Sequence, residues 1–99
     1  MDMEALMAQA AELQNKVSAA QEQLAKTSIK GIAEQGGCIV DMTGKYDLLS
    51  IKIHPDMLSH GVDAIATVVM SAYRDAKKKA DDLIDKVMGD ATAGMPIGQ

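Results

Sequence analysis

The chain has 99 residues, of which ten are basic and fourteen acidic, and its formal net charge is −4 at pH 7. That length predicts one domain with a modest core, and the negative charge disfavours attraction of nucleic acid by the chain as a whole, so such binding would need a local basic patch. The single Cys38 excludes an internal disulfide, and without a signal peptide or a bilayer-length apolar run we expect a soluble, cytoplasmic protein.

The first predicted element is an amphipathic helix over residues 2–26, with Asp2 as its N-cap. Apolar residues follow two rows of heptad spacing. The rows are Met3, Ala10, Val17 and Leu24, and Leu6, Leu13 and Ala20. Glutamines flank the rows, so no charge pattern fixes a coiled-coil partner. We therefore expect this stripe to pack on the protein's own sheet for part of its length, with a free-standing coiled coil as the alternative.

The apolar period changes to two from residue 28, which is typical of half-buried antiparallel strands. Strands are predicted over residues 38–43 and 48–53, and a weaker one over residues 28–34. In the weaker strand Ile29 and Ile32 have opposite parity unless Gly31 introduces a bulge. Glycines at 36–37 and 44 mark the turns, because glycine accepts positive φ. The sequence thus predicts a three-stranded antiparallel meander.

A second long helix is predicted over residues 61–88, after Pro55 ends the last strand. Its apolar seam also has two rows of heptad spacing. The rows are Val62, Val69, Ala76 and Leu83, and Ala66, Tyr73, Ala80 and Val87. Residues 89–99 have no period and are rich in glycine, so we expect a single domain over residues 1–88 followed by a flexible tail over 89–99.

The predicted helices are too long for the predicted sheet. A helix of about 25 residues measures roughly 37 Å, whereas a strand of about six residues spans only about 20 Å. Each helix must overhang the sheet, and the two can cover part of the overhanging seam by pairing with each other. The remaining seam and the open sheet edge predict a homodimer.

The order of these elements resembles a known family. The resemblance rests on the hairpin EQGGCIVDMTGKYDLLSIKI, Pro55 followed by Leu58, the helical segment DAKKKADDLI and the tail AGMPIG. Together they are similar to the YbaB/EbfC family of small bacterial nucleoid-associated proteins. That resemblance implies an α+β fold with an α-β-β-β-α protomer, a tweezer-like homodimer, and duplex DNA binding without strong sequence specificity. Two departures are His54, where the family has Asp, and the few basic residues of the first helix.

A basic cluster on the second helix is the candidate DNA-binding site. It contains Arg74, Lys77, Lys78 and Lys79, and weaker candidates are Lys16, Lys26 and Lys30. Such residues gain affinity by neutralising phosphates without reading bases. The alternative is a solvated helix laced with ion pairs, because carboxylates stand four residues from the lysines. The pairs predicted on that alternative are Asp75 with Lys79, Lys77 with Asp81, Lys78 with Asp82, and Asp82 with Lys86.

Catalytic and metal chemistry has little support in the sequence. His54 and His60 flank Asp56 across a turn without a third ligand at useful spacing, and Cys38 lies among alternating apolar residues as a packed thiol. We expect no enzyme activity, cofactor, small-molecule substrate or membrane contact. Two functions remain, a DNA-binding protein of the nucleoid and an acidic homodimeric protein-interaction module that keeps the fold without binding DNA.

Overall fold

The computed structural model describes residues 2–92. Its three strands form one antiparallel sheet in the order β1-β2-β3. The elements in chain order are α1 (Met3–Lys26), β1 (Ser28–Ile32), β2 (Cys38–Thr43), β3 (Leu48–Ile53), a 3-10 helix (Pro55–His60) and α2 (Val62–Thr92). The predicted α+β fold and its α-β-β-β-α order are therefore confirmed.

Helix α1 begins and ends as its sequence predicts, but it packs mainly on α2 rather than on the sheet. The Asp2 side chain accepts a hydrogen bond of 3.1 Å from the Glu4 amide, which confirms the N-cap. The C-terminal half of α1 packs mainly on α2, where Ala20 and Leu24 form a buried cluster with Val87. The expectation that this stripe packs on the sheet for part of its length holds only for its last turn, which reaches the β2 end of the sheet.

The sheet is regular at β1 and irregular at β3. Strand β1 pairs residue by residue with β2, so Gly31 introduces no bulge, and Ile32 keeps the opposite parity with 51% of its surface exposed. The ladder instead shifts register at Leu49, which is skipped between the Asp41–Ser50 and Met42–Leu48 pairs. Ile32 belongs to the exposed row of Ser28 and Lys30, on the sheet face opposite the buried Ile29.

In the turn between β2 and β3, the residue with positive φ is not a glycine. Tyr46 adopts the positive φ, 69°, that we expected of a glycine. Its hydroxyl donates a hydrogen bond to the Asp81 carboxylate on α2, which holds the residue in this conformation. Gly44 is needed for a different reason, since a Cβ there would lie 2.9 Å from the Leu24 carbonyl oxygen. The glycine allows the close approach of α1 to the turn.

Helix α2 lies directly against the sheet through a row of small residues. Ala72, Ala76 and Ala80 are fully buried, and a Cβ added at Gly31 would lie 2.1 Å from the Ala72 carbonyl oxygen. The predicted seam was wrong over the first turns of α2, because Val62 is 81% and Tyr73 43% exposed. Close contact between the two backbones requires small side chains at the interface, whereas the sequence prediction relied on the spacing of large apolar side chains.

This close approach brings polar side chains of α2 to the outer edge of β1. The Asp75 carboxylate accepts from the Ile32 amide at 2.9 Å, and Lys79 Nζ donates to the Lys30 carbonyl oxygen at 3.0 Å. Just beyond the strand, Ser71 Oγ accepts from the Glu34 amide at 3.0 Å. Two outward backbone groups of β1, the Ile32 amide and the Lys30 carbonyl, are thereby occupied, so side chains of α2 partly close the β1 edge.

Both helices extend beyond the sheet, as their lengths predicted, and the protomer measures 69 × 22 × 15 Å. Helix α2 continues to Thr92 rather than ending at Met88, so the first four residues of the predicted tail are helical. The rest of that tail, residues 93–99, lies outside the described residues.

The contact at Gly31 yields a stability prediction. Gly31→Ala should lower the free energy of unfolding by about 2 kcal/mol, because the new methyl group overlaps the α2 backbone and forces the helix away from the sheet. The measurement is urea unfolding followed by circular dichroism. Gly89→Ala is the matched control: no atom lies within 4 Å of its added Cβ, and it should raise the stability by about 0.5–1 kcal/mol. Equal effects of the two substitutions would contradict the close contact.

Candidate nucleic-acid interface

The basic cluster of α2 divides into two pairs of residues with different environments. Lys79 Nζ lies 3.0 Å from the Asp75 carboxylate while it also donates to β1. Lys77 Nζ lies 3.5 Å from the Asp81 carboxylate and 5.9 Å from the centre of the Tyr46 ring. Both lysines are therefore engaged within the protomer, and two of the four ion pairs predicted from spacing are confirmed.

Arg74 and Lys78 form the other pair. Both side chains are exposed, and within residues 2–92 neither lies within 4 Å of a carboxylate oxygen. The predicted Lys78–Asp82 and Asp82–Lys86 ion pairs do not form. Because Arg74 and Lys78 are four residues apart, they are neighbours on one face of the helix. They line a notch of about 430 Å³ together with Ile32, Glu34, Gln35, Thr67, Ser71 and Asp75.

The three weaker candidates are dispersed over the protomer. Lys16 on α1 pairs with Glu12 at 3.4 Å, and Lys30 on β1 pairs with Asp41 at 3.2 Å. The Asp41 carboxylate is largely buried and also accepts a bond of 2.7 Å from the Ser50 hydroxyl. Lys26, at the end of α1, is exposed and has no ion pair among the described residues. These lysines do not converge with the α2 pair on one surface element.

Hydrogen bonds lower the pKa values of two acidic groups around the cluster. The Ile32 amide and then Lys79 hold the pKa of Asp75 below its usual value. The Tyr46 hydroxyl and then Lys77 lower the pKa of Asp81, while the same hydrogen bond raises the pKa of Tyr46. These carboxylates stay ionised at neutral pH and retain their lysine partners.

Lys86 is a basic residue that the sequence analysis did not name as a DNA contact. Lys86 is exposed and lines a cleft of about 510 Å³ between the two helices, opposite Lys16 and near Asp90. Its spacing of four from Asp82 led us to assign it to an ion pair, and that pair does not form. The helix pairing that brings Lys86 close to Lys16 cannot be read from either helix alone.

A second, apolar surface lies on the opposite side of Arg74. A cleft of about 380 Å³ separates α2 from β3, and almost all of its lining is apolar. Its lining residues are Val40, Leu48, Ile51, Val69, Met70, Tyr73 and Arg74. Helix α2 covers β1 and β2 but barely reaches β3, so Ile51 and Ile53 remain 44% and 41% exposed. This apolar cleft is a surface that a single protomer leaves in contact with water.

The turn histidines and the cysteine have local roles. His54 Nδ1 accepts a hydrogen bond of 3.1 Å from the Asp56 amide and so caps the 3-10 helix. Cys38 is 2% exposed, and burial raises the pKa of its thiol. Over residues 2–92, no group of three His, Cys, Asp or Glu side chains is placed to hold a metal ion. None of the helices in that range has the length and apolar character required to cross a membrane.

Comparison with known proteins places this geometry in context. The model of the YbaB/EbfC DNA-binding family matches residues 1–95. Nucleoid-associated protein GOX0603 of Gluconobacter oxydans is 34% identical over 93% of this chain and 87% of its own length. Nucleoid-associated protein NMA1657 of Neisseria meningitidis is 33% identical over 94% and 86% of the two chains. The crystal structure of uncharacterized protein HP0035 from Helicobacter pylori shares the fold, with a TM-score of 0.79 at 20% identity over 91% of this chain and 96% of that one.

The lowered pKa of Asp75 leads to a pH prediction. A carboxylate whose pKa falls on folding stabilises the native state at pH values above the pKa that it has in the unfolded chain, here 3.8. This contribution disappears as the pH falls through the pKa of the folded state. Asp75→Asn should therefore reduce the free energy of unfolding at pH 7 and reduce it less at about pH 2. Urea unfolding at both pH values measures the difference. Asp82→Asn, on the same helix, is the control, and a loss for Asp75→Asn that does not depend on pH would contradict the assignment.

Proposed function

Since this chain belongs to the YbaB/EbfC DNA-binding family, we propose that it binds duplex DNA as a homodimer, without strong sequence specificity, through phosphate contacts from exposed basic residues of α2. It acts in the cytoplasm, at the nucleoid, as the names of its relatives suggest. The family is defined by DNA binding and not by a catalysed reaction, and the proposed function needs no cofactor.

The pair Arg74 and Lys78 is the observation that carries the phosphate proposal. Both cations are exposed and without a carboxylate partner among residues 2–92, so no intramolecular ion pair has to break when a phosphate binds. The guanidinium group of Arg74 offers a planar fork of donors to phosphate oxygens, and Lys78 adds a point charge beside it. Lys77 and Lys79 rank lower because Asp81 and Asp75 already neutralise them. Lys26 remains an additional contact, whereas Lys16 and Lys30 are paired.

The absence of sequence specificity follows from the side chains that this surface offers. Phosphate contacts fix a protein on the duplex but carry no base information. The chain has no Phe or Trp and only two Tyr. Tyr46 is bonded to Asp81, and Tyr73 lines the apolar cleft. Two aromatic side chains, both already in contact with other residues of the protomer, offer little for bases to stack on, which also argues against single-stranded DNA or RNA as the ligand.

The apolar cleft beside β3 supports the homodimer. Side chains of α2 partly close the β1 edge, whereas within residues 2–92 no strand pairs with the outer side of β3. Leaving large aliphatic side chains in water is unfavourable by about 1.5–3 kcal/mol for each one that a partner would fully bury. A second copy that packs on β3 and on the adjacent face of α2 removes this cost and brings two Arg74–Lys78 pairs into one particle. The two Arg74–Lys78 pairs would supply local positive charge that offsets the repulsion between DNA and a chain of net charge −4.

The DNA proposal is tested by a double substitution with a control that changes charge equally. Arg74→Gln with Lys78→Gln should weaken binding to a labelled duplex at least tenfold in about 50 mM salt, and should lower the slope of log affinity against log salt by about 4 per dimer. Lys77→Gln with Lys79→Gln should weaken binding less than about threefold, because those lysines are already paired. Fluorescence anisotropy across a salt series measures both.

Two results would contradict the DNA proposal. If the unmodified protein does not bind duplex DNA at low salt, the protein-interaction module becomes the better interpretation. If both double variants weaken binding equally, the contact is not centred on Arg74 and Lys78. Circular dichroism of each variant establishes that the fold is retained.

The dimer proposal is tested by placing a charge in the apolar cleft. Ile51→Asp should remove the β3 contact and so lower the average mass of the protein in solution, because a buried carboxylate without a partner opposes the contact. Leu58→Asp is the matched control, since Leu58 is 76% exposed and lies on the 3-10 helix away from the cleft. Sedimentation equilibrium measures the mass. An unchanged mass for Ile51→Asp would exclude β3 as the contact surface.

A further inference from the structure

The N-terminal half of α1 presents an apolar row that no described residue covers. Helix α2 packs on α1 from Ala20 to Leu24, and its last described turn reaches only as far as Lys16. Beyond that point α1 continues for three further turns. There Met3 is 69%, Leu6 40% and the neighbouring Met7 67% exposed.

The spacing of this row indicates what kind of surface it fits. Met3, Leu6, Ala10 and Leu13 alternate at three and four residues, which is the seam of a two-helix coiled coil. Further along the same seam, Ala20 and Leu24 already contact α2. The seam is thus one continuous stripe whose second half is paired inside the protomer. Its first half has no partner among residues 2–92.

We propose that the N-terminal halves of α1 from two copies of this chain pack against each other in antiparallel orientation. The register follows from the residues that remain uncovered. Since Ala20 and Leu24 are occupied by α2, only the stretch from Met3 to Leu13 is available. Centring the contact on this stretch places Met3 of one copy against Leu13 of the other, and Leu6 against Ala10.

The flanking residues are complementary only in the antiparallel orientation. In that register Asp2 at the end of one helix lies beside Lys16 of the other, where Lys16, which lies 3.4 Å from Glu12 within its own protomer, faces carboxylates of both chains, and the twofold symmetry repeats this contact. The remaining flanking positions bring Met7 against Met7 and Gln9 against Gln9, both of which are self-compatible. A parallel pair would place Asp2 beside Met7 and Lys16 beside Gln21, with no opposed charges.

Helix α1 is already ordered before the contact forms. An isolated helix of about 14 residues is marginal in water because its nucleation is costly. Here the packed C-terminal half and the Asp2 cap hold the helix in place. The contact therefore orders little additional backbone. This contact uses a surface distinct from β3. Given the proposed β3 dimer, it would therefore join dimers into larger assemblies in which two dimers act together.

A symmetric cross-link tests the antiparallel register. Gln9→Cys should form a disulfide-linked dimer under mild oxidation at micromolar protein at least tenfold faster than Ala8→Cys, whose side chain points away from the contact. The natural Cys38 stays in both variants, because it is buried and does not compete. Adding Leu6→Glu to Gln9→Cys should abolish the link. Equal rates for Gln9→Cys and Ala8→Cys, or a faster link between Gln9→Cys and Gln14→Cys chains, would overturn the proposal.

Mass measurements separate this contact from the β3 dimer. Ile51→Asp alone should still associate through α1. Ile51→Asp with Leu6→Glu should be monomeric, with an association constant at least tenfold below that of Ile51→Asp alone. Leu6→Glu alone should leave the β3 dimer and remove any larger species. If Ile51→Asp is monomeric at all concentrations up to about 100 μM, the α1 contact does not form, whether or not DNA binding is observed.

Discussion

The structure depends on the close approach of α2 to the sheet at Gly31. Three fully buried alanines of α2 and a glycine of β1 leave no side chain between the two backbones. Because the helix lies so near, the short side chains of Ser71 and Asp75 reach backbone amides at and just beyond the β1 edge. A larger residue at any of these contact positions would move the helix outward and open that edge. Packing at one glycine thus decides which side of the sheet is open to a partner.

The same placement separates two surfaces on α2. One face of the helix is committed to the sheet, and Lys79 and Lys77 are drawn into contacts with β1 and with the β2–β3 turn. Arg74 and Lys78 are left exposed on one side, and the apolar cleft along β3 lies on the other. The proposed DNA-binding surface and the proposed self-association surface therefore lie side by side on one helix and meet at Arg74, which lines both the notch and the apolar cleft. This arrangement also shows how an acidic chain can serve a DNA-binding family, since the charge that matters is local.

Helix length adds a third surface at the far end of the molecule. The two helices pair along α2's last turns, and α1 continues past the described end of α2 with its apolar row exposed. A protomer of 69 Å whose core occupies only one end is mostly surface. Such a shape buries a small share of its surface, which favours the proposed contacts with other copies of the chain.

The sequence alone determined the element order, the N-cap at Asp2 and the overhang of both helices, because local periods, capping and element lengths are properties of short stretches. It also determined two ion pairs on α2, which depend only on helical spacing. Tertiary structure decided the rest. The buried face of α2 was set by Gly31, and the exposure of β3 by the sideways position of α2. Each of these depends on distances between segments far apart in the chain, which no local pattern contains.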